Sequence, residues 1–313
     1  MHTFLTPEPV TLEIRNAAGE VRVVLTDTPT TTVEITPVTS HPLGFLDDVF
    51  KSFGGSFGGA PSGGRGGRGM ARMRQFGLGG DETSTTAEDV AAAARVEHRP
   101  TGSGGTIEID TDPARDGWRS SFTVLVTAPN GSSVRVKAQS SDVSTSGPSA
   151  LADVRTASGT VTLDQVLGRA LVQTASGSVE IAGVGGDADV RTASGDIHVG
   201  AIGGNVVAHT TSGRIDIGAV TGDISARSVS GDVLLADAAA GQADVSAVSG
   251  DVAIGVHPGS VAAVNLVTVS GTTATDFEVS PEAPEGDAPV LQITVKTTSG
   301  DIRLHRAAVG TAA

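Results

Sequence analysis

The sequence predicts an all-β protein built as a parallel β-solenoid, right-handed β-helix or β-roll-like, with about 18 residues and two short strands per coil. Two observations carry this reading. A Ser-Gly pair recurs eight times, with its glycine at Gly159, Gly177, Gly195, Gly213, Gly231, Gly250, Gly271 and Gly300, and the first four gaps are all 18 residues. Counting from each glycine as position 0, residues +2 and +4 are aliphatic, as in Val179/Ile181, Ile197/Val199 and Ile215/Ile217. Positions +1 and +3 are mostly polar, giving the period-two alternation of a half-buried strand. Composition agrees: 42 glycines, 3% aromatics and no tyrosine leave a core of Val, Ile, Leu and Ala, which suits thin stacked layers.

The second strand of the coil shows in positions −7 and −5, filled by pairs such as Ala188/Val190, Val206/Ala208 and Ile224/Ala226. A second set of glycines, Gly168, Gly186, Gly204, Gly222 and Gly241, halves the unit. Positive φ at glycine is expected to turn both corners. An antiparallel hairpin meander accounts less well for the pattern, because its loops vary while these columns hold one residue type per position. Identical positions stacked on themselves describe coils about 4.8 Å apart.

The register continues backwards through Ser141, with Val134, Val136 and Val143 at −7, −5 and +2, and recurs at Leu12, Ile14, Gly19, Val21 and Val23. Strands are therefore expected near Thr11 to Asn16, Glu20 to Leu25, Thr32 to Thr36, Thr106 to Asp110, Phe122 to Thr127 and Ser133 to Ala138. Between them, a Gly-rich tract from Gly54 to Gly80 carries Arg65, Arg68, Arg72 and Arg74, a composition that buries too little apolar surface to order itself. Short helices are expected on either side, from the spacing of Leu46, Val49, Phe50 and Phe53 and from the capping-box pair Thr85 and Glu88 before Ala91 to Ala94. The organisation is thus β-strands over 1–42, a Gly/Arg-rich insertion over 43–95, strands leading into the solenoid over 96–140, the regular solenoid over 141–256, and an irregular C-terminal β cap over 257–313. In that cap Leu291 to Val295 and Ser299 to Leu304 are expected to seal the last coil.

The repeated core, Thr156 to Val161, Thr174 to Val179, Thr192 to Ile197 and Thr210 to Ile215, resembles the bacterial "putative adhesin" β-strand-repeat family, whose function is unknown. The opening, Phe4 to Val10 followed by a Gly-Glu-Val-Arg-Val turn, resembles it too. The resemblance implies a β-solenoid and supplies no catalytic residues to transfer.

Formal charge is −14, and from Leu151 onward 8 Lys/Arg face 18 Asp/Glu, which disfavours nucleic acid as a partner. With no cysteine, disulfides and thiolate metal sites are excluded. The first residues lack a basic stretch followed by an apolar one, and no run of 18 apolar residues occurs, so no membrane span and a cytoplasmic address are expected.

Three polar constellations are candidates for chemistry. The serine column Ser158, Ser176, Ser194, Ser212, Ser230, Ser249, Ser270 and Ser299 is expected to be structural, its hydroxyls bonding corner backbone; eight equivalent copies argue against one nucleophile. Asp187, Asn205 and Asp223 in successive corners form a conceivable calcium ladder, although the Gly-Gly-x-Gly-x-Asp turns of calcium β-rolls are missing. Glu180, His198 and Asp216 stack on one outward row, the best place for a catalytic or metal site of a carbohydrate-active β-helix. Solvated surface residues explain the last two sets better, so no catalytic, cofactor or metal residue is assigned. The expected function is a non-enzymatic scaffold or interaction protein that binds a protein or surface polymer, as a monomer or with weak self-association. A self-assembling, cytoskeletal-type β-helix, a carbohydrate-active enzyme and a calcium-binding β-roll are the alternatives.

Overall fold

The computed structural model describes residues 1–38, 94–100, 104–111, 121–277 and 290–307. The helix expected over 46–53, the Gly/Arg tract, the capping box at Thr85 and the acidic loop from Pro281 to Pro289 lie outside these residues. Among the described residues there is no helix, and the strands join one continuous hydrogen-bonded network.

The chain enters through β1 (His2–Leu5), β2 (Thr11–Thr26) and β3 (Thr30–Val38), and resumes with β4 (Arg95–Arg99), β5 (Thr106–Asp110), β6 (Ser121–Pro129) and β7 (Ser133–Ser149). Regular coils follow, each a pair of strands: β8 (Leu151–Ser158) with β9 (Val161–Val166), β10 (Ala170–Ser176) with β11 (Val179–Val184), and β12 (Ala188–Ser194) with β13 (Ile197–Ile202). The series continues with β14 (Val206–Ser212) and β15 (Ile215–Val220), β16 (Ile224–Ser230) and β17 (Val233–Ala238), and β18 (Gly241–Ser249) and β19 (Val252–Val256). It ends with β20 (Val261–Ser270), β21 (Thr273–Thr275), β22 (Val290–Ser299) and β23 (Ile302–Arg306). The strands expected from the sequence are present; β1 and β4 were not anticipated.

Every regular coil stacks in parallel on the next with like positions in contact: Val172 on Val190, Ile181 on Val199, Ile217 on Leu235. Even-numbered strands from β8 onward build one sheet and odd-numbered strands the other. Their inner faces meet in a single core running the length of the body, in which Val154, Val190, Ile217 and Ile254 are fully buried. The inward residue at −3 is Thr156, Thr174, Thr192, Thr210 or Ser228, a hydroxyl column buried beneath the corner.

The Ser-Gly corner works through its glycine. All eight Ser-Gly glycines, from Gly159 through Gly300, have φ between +125° and +154°, a region costly for any residue with a Cβ. Space excludes a side chain as well: a Cβ on Gly213 would lie 2.1 Å from the carbonyl oxygen of Gly195 in the preceding coil. The second corner differs from expectation. Gly241 has φ +89° as expected, but Gly168, Gly186, Gly204 and Gly222 do not have positive φ; glycine is needed at those four because coils approach too closely, a Cβ on Gly186 meeting the Gly168 oxygen at 2.8 Å.

Both ends depart from a simple spiral, and in the same way. At the start, β2 pairs along its length with β7, while its other edge is covered by β5 and β6, which come later in the chain. The coil of 106–129 therefore lies outside the coil of 11–26. At the far end β22 lies between β18 and β20, and β23 between β19 and β21. The segment expected to seal the last coil is thus inserted one position inside it, and β20–β21 forms the outermost coil. The reason is compatibility of register: Ser249 matches Ser299 and Ser270 matches Ser299, so β22 fits either neighbour.

The two ends are finished differently. At the first, β3 runs antiparallel to β6, β4 to β5 and β1 to β3, and Phe4 meets His98 with ring centroids 5.3 Å apart, closing the gap between the sheets. The strand at that edge carries Arg95, Glu97 and Arg99, charges that discourage further pairing. At the other end Thr273 and Thr275 replace the aliphatic pair at +2 and +4, and the partly buried Phe277 packs on the core beneath Arg306.

The corner geometry predicts a contrast between two glycines. Gly213→Ala adds both the φ penalty and a clash with fixed backbone, and should cost at least about 3 kcal/mol in urea unfolding. Gly259→Ala, at φ +90° with nothing within 4 Å of the added Cβ, should cost about 1–2 kcal/mol. Equal losses at the two sites would contradict the stacking account.

Candidate functional site

Stacking in register converts any repeated outward residue into a column. On the outer face of the even-numbered sheet, position −4 reads Arg15, Lys137, Arg155, Gln173, Arg191, His209, Arg227, Ser246 and Lys296 in spatial order, each the register partner of the next. Six of these nine are Lys or Arg, in a chain whose net charge is −14. The opposite sheet and the corners hold many of the acids, including Asp142, Glu180, Asp196, Asp216, Asp232 and Asp251.

Two of the cations are tied along their own strands. Arg155 Nε lies 3.2 Å from Asp153 Oδ1 and Arg191 Nε 3.0 Å from Asp189 Oδ1, half-exposed pairs worth about 0–1 kcal/mol each. Arg15 faces Glu108 and Asp110 at 3.8 and 3.7 Å. Lys137, Arg227 and Lys296 have no carboxylate within 4.0 Å among the described residues. His209 sits between Arg191 and Arg227. Its Nε2 is buried without a hydrogen-bond partner, and its pKa is pushed below the ordinary value, first by burial and then by the two guanidinium groups, with Asp189 opposing.

The column borders a groove. Over β8, β10 and β12 position −2 is Ala157, Ala175 and Ala193, so the long −4 side chains there stand beside a low strip. Three adjoining depressions follow it at its N-terminal end. One of about 250 Å³ is lined by Glu13, Arg15, Arg135, Lys137, Asp153 and Arg155. One neighbour shares Arg15 and Lys137 with it and extends to Asn16, and the other shares Lys137 and Arg155 and extends to Gln173. Open depressions of this size suit side groups of an elongated ligand better than an engulfed small molecule.

The residues singled out from sequence fall elsewhere. Glu180, His198 and Asp216 are brought into adjacent register as expected, on the odd-numbered sheet. His198 Nδ1 lies 3.6 Å from Asp216 Oδ2, with the imidazole 55% exposed, and none of the depressions above includes the three residues. Among the described residues no three His, Asp or Glu side chains are arranged to hold a metal.

Asp187, Asn205 and Asp223 form a ladder of another kind: Asp187 Oδ1 accepts from the Asn205 N–H, Asn205 Oδ1 from the Asp223 N–H, and Asp223 Oδ1 from the Gln242 N–H, each at 2.9 Å. The first corner repeats the device, with Asp142 accepting from Thr160, Asp196 from Arg214, Asp232 from Asp251, and Asp251 from Asp301. These side chains supply the acceptor that the backbone lacks at the corner. The last member, Asp301, accepts both the Thr272 N–H and its hydroxyl, which together hold its carboxyl below the usual range.

The serine column is structural, though through a different atom than expected. The serine carbonyls accept the N–H of the glycine in the preceding coil, as Ser194 does from Gly177 at 2.9 Å, whereas the hydroxyls have no partner among the described residues.

The cation column is not apparent from successive coils, since position −4 alternates between arginine and Gln173 or His209. The signal was present: Arg155, Arg191 and Arg227 recur at intervals of 36 residues.

His209 predicts a pH dependence. A histidine whose folded pKa lies below its unfolded value leaves stability unaffected above the ordinary value of 6.5 and reduces it as pH falls from there through the folded pKa. Thermal melts between pH 7 and 5 should therefore show a decline that His209→Gln reduces; an unchanged profile would contradict the burial of an unpaired imidazole.

No curated protein matches the chain. Among solved structures it is similar to a "putative adhesin" from Bacteroides fragilis NCTC 9343, at 11% identity over 97% of this chain and 95% of that one, with a TM-score of 0.43. It is also similar to a "putative cell adhesion protein" from Clostridium sporogenes ATCC 15579, at 10% identity over 97% and 98%, with a TM-score of 0.21. The family assignment rests on a profile: residues 80–305, well over half of the chain, match Toastrack DUF4097, and the chain belongs to that family of unknown function.

Proposed function

We propose that this Toastrack protein is a non-enzymatic interaction protein whose even-numbered sheet binds an elongated anionic polymer along the cation column. The column carries the reading. Its charges fall on successive coils about 4.8 Å apart from Arg15 to Arg155 and on every second coil, about 10 Å apart, from Arg155 to Lys296, so a flexible chain of acidic groups laid across the coils meets Arg15, Lys137, Arg155, Arg191, Arg227 and Lys296 in turn. Lys137, Arg227 and Lys296, which have no carboxylate neighbour among the described residues, give the attraction its net sign; the acidic remainder of the surface orients the ligand to this face.

The chemistry favours an acidic polysaccharide or comparable surface polymer over nucleic acid. Apart from the partly buried His209, no aromatic side chain stands in the column or its −2 strip to stack a base. A non-enzymatic role agrees with the exposed setting of Glu180, His198 and Asp216, and with corner carboxylates engaged by backbone N–H groups.

The test is retention of the full chain on an immobilised acidic polysaccharide at low salt, with neutral dextran and single-stranded DNA as comparisons. Binding should weaken steeply with salt, and Lys137→Glu with Arg227→Glu should reduce affinity about tenfold or more, since both lost cations change sign. Equal binding by the double variant, or no binding by the native chain, would overturn the reading; preference for DNA would reassign the polymer.

A further inference from the structure

The outermost coil is unlike every other. Positions −7 and −5 are inward and sealed wherever a coil lies beyond: Ile293 and Val295 of β22 are 0% exposed. Their register partners in β20 are Val264 and Leu266, and Val264 is 41% exposed. The core is thus open at this end along β20, whereas the β21 side is finished with Thr273, Thr275 and Phe277. Among the described residues, β20 pairs only with β22, so its other edge of N–H and C=O groups is unmatched.

The sequence of this edge is equally unusual. Residues 261–275 contain no Asp, Glu, Lys, Arg or His, in a chain with 56 Asp, Glu, Lys and Arg residues (21 basic and 35 acidic). Edge strands ordinarily carry charge to block pairing, as Arg95, Glu97 and Arg99 do at the opposite end. Here Val264, Val267 and Val269 are exposed at 41, 46 and 80%.

We infer that β20 is a self-pairing edge, through which two copies of this chain join end to end as a closed two-fold dimer. Antiparallel pairing about an axis through Asn265 sets Val264 opposite Leu266 and Ala262 opposite Thr268 on the core side. On the outer side it sets Ala263 opposite Val267 and Val261 opposite Val269. Inward residues meet inward residues, as a continuing sheet requires. Apolar positions face apolar ones, apart from Ala262 with Thr268. Each copy extends the other's core with a coil of the same cross-section.

A second copy fits better than a charged partner, because an uncharged edge offers no complementary charge and two copies meet there without repulsion despite their acidic surfaces. Growth stops at two, since the opposite end is covered by antiparallel strands. The inference is independent of polymer binding, which uses a sheet face rather than an end.

The experiment uses the full chain. Sedimentation should show a concentration-dependent dimer, and Val267→Lys, an outward substitution that places two charges in the interface, should yield a monomer with an unchanged circular dichroism spectrum. Because the protein has no cysteine, Asn265→Cys provides a separate readout: the two thiols face one another across the axis and should form an intermolecular disulfide under mild oxidation, while Ser246→Cys on the sheet face should not. A native chain that stays monomeric at high micromolar concentration, together with Asn265→Cys that does not cross-link, would overturn the inference. So would a dimer that Val267→Lys leaves intact.

Discussion

The backbone ladder between coils is the interaction on which everything else depends. At each Ser-Gly corner, Gly N–H donates to the serine carbonyl of the next coil and the +2 N–H donates to the +1 carbonyl, as Gly195 and Ile197 do to Ser212 and Arg214. The +1 N–H points the other way and meets an aspartate from the coil before, as Arg214 does Asp196. For these bonds to form at every level the coils must share one cross-section. That is why a Cβ at Gly213 has no room, and why the regular coils from β8 to β19 fill the core with Val, Ile, Leu and Ala above a column of buried hydroxyls.

The same constraint creates the surface. Outward side chains inherit the register of the ladder, so a substitution pattern invisible in a single coil becomes a continuous column of cations across the sheet. His209, partly buried in that column and flanked by Arg191 and Arg227, has its pKa lowered first by burial and then by the two guanidinium groups. A ladder also leaves ends, where a coil has only one neighbour. The chain treats them in a common way, threading one coil back inside another, and then finishes them unequally, with antiparallel charged strands at one end and an uncharged edge at the other.

Much of this was legible because stacking and sequence period express the same geometry. The 18-residue spacing located β8 to β19, and the echo around Gly19 correctly joined the N-terminal region to the solenoid. What the period could not specify is spatial order. Any coil of matching register fits against any other, so Ser299 is as compatible with Ser249 as with Ser270, and the insertion of β22 leaves no local mark. β4 was missed because Arg-Val-Glu-His-Arg is mostly polar and borrows its stability from β5. In the second corner only Gly241 has the expected positive φ, and close approach, which selects the same residue, accounts for Gly168, Gly186, Gly204 and Gly222. The cation column is written in the sequence at a period of 36 residues, twice the coil, in Arg155, Arg191 and Arg227.

Order at the C-terminal end is the claim from which both the exposed β20 edge and the extent of the column follow, and cysteine pairs test it directly in a protein that has none. With adjacent coils about 4.8 Å apart, the pair Ser249→Cys and Ser299→Cys should oxidise readily to an intramolecular disulfide. The pair Ser249→Cys and Ser270→Cys, separated by two coils and beyond the roughly 7 Å limit between Cα atoms, should remain reduced. The reverse result, in which the second pair oxidises and the first stays reduced, would mean that the coils stack in chain order and would contradict the account.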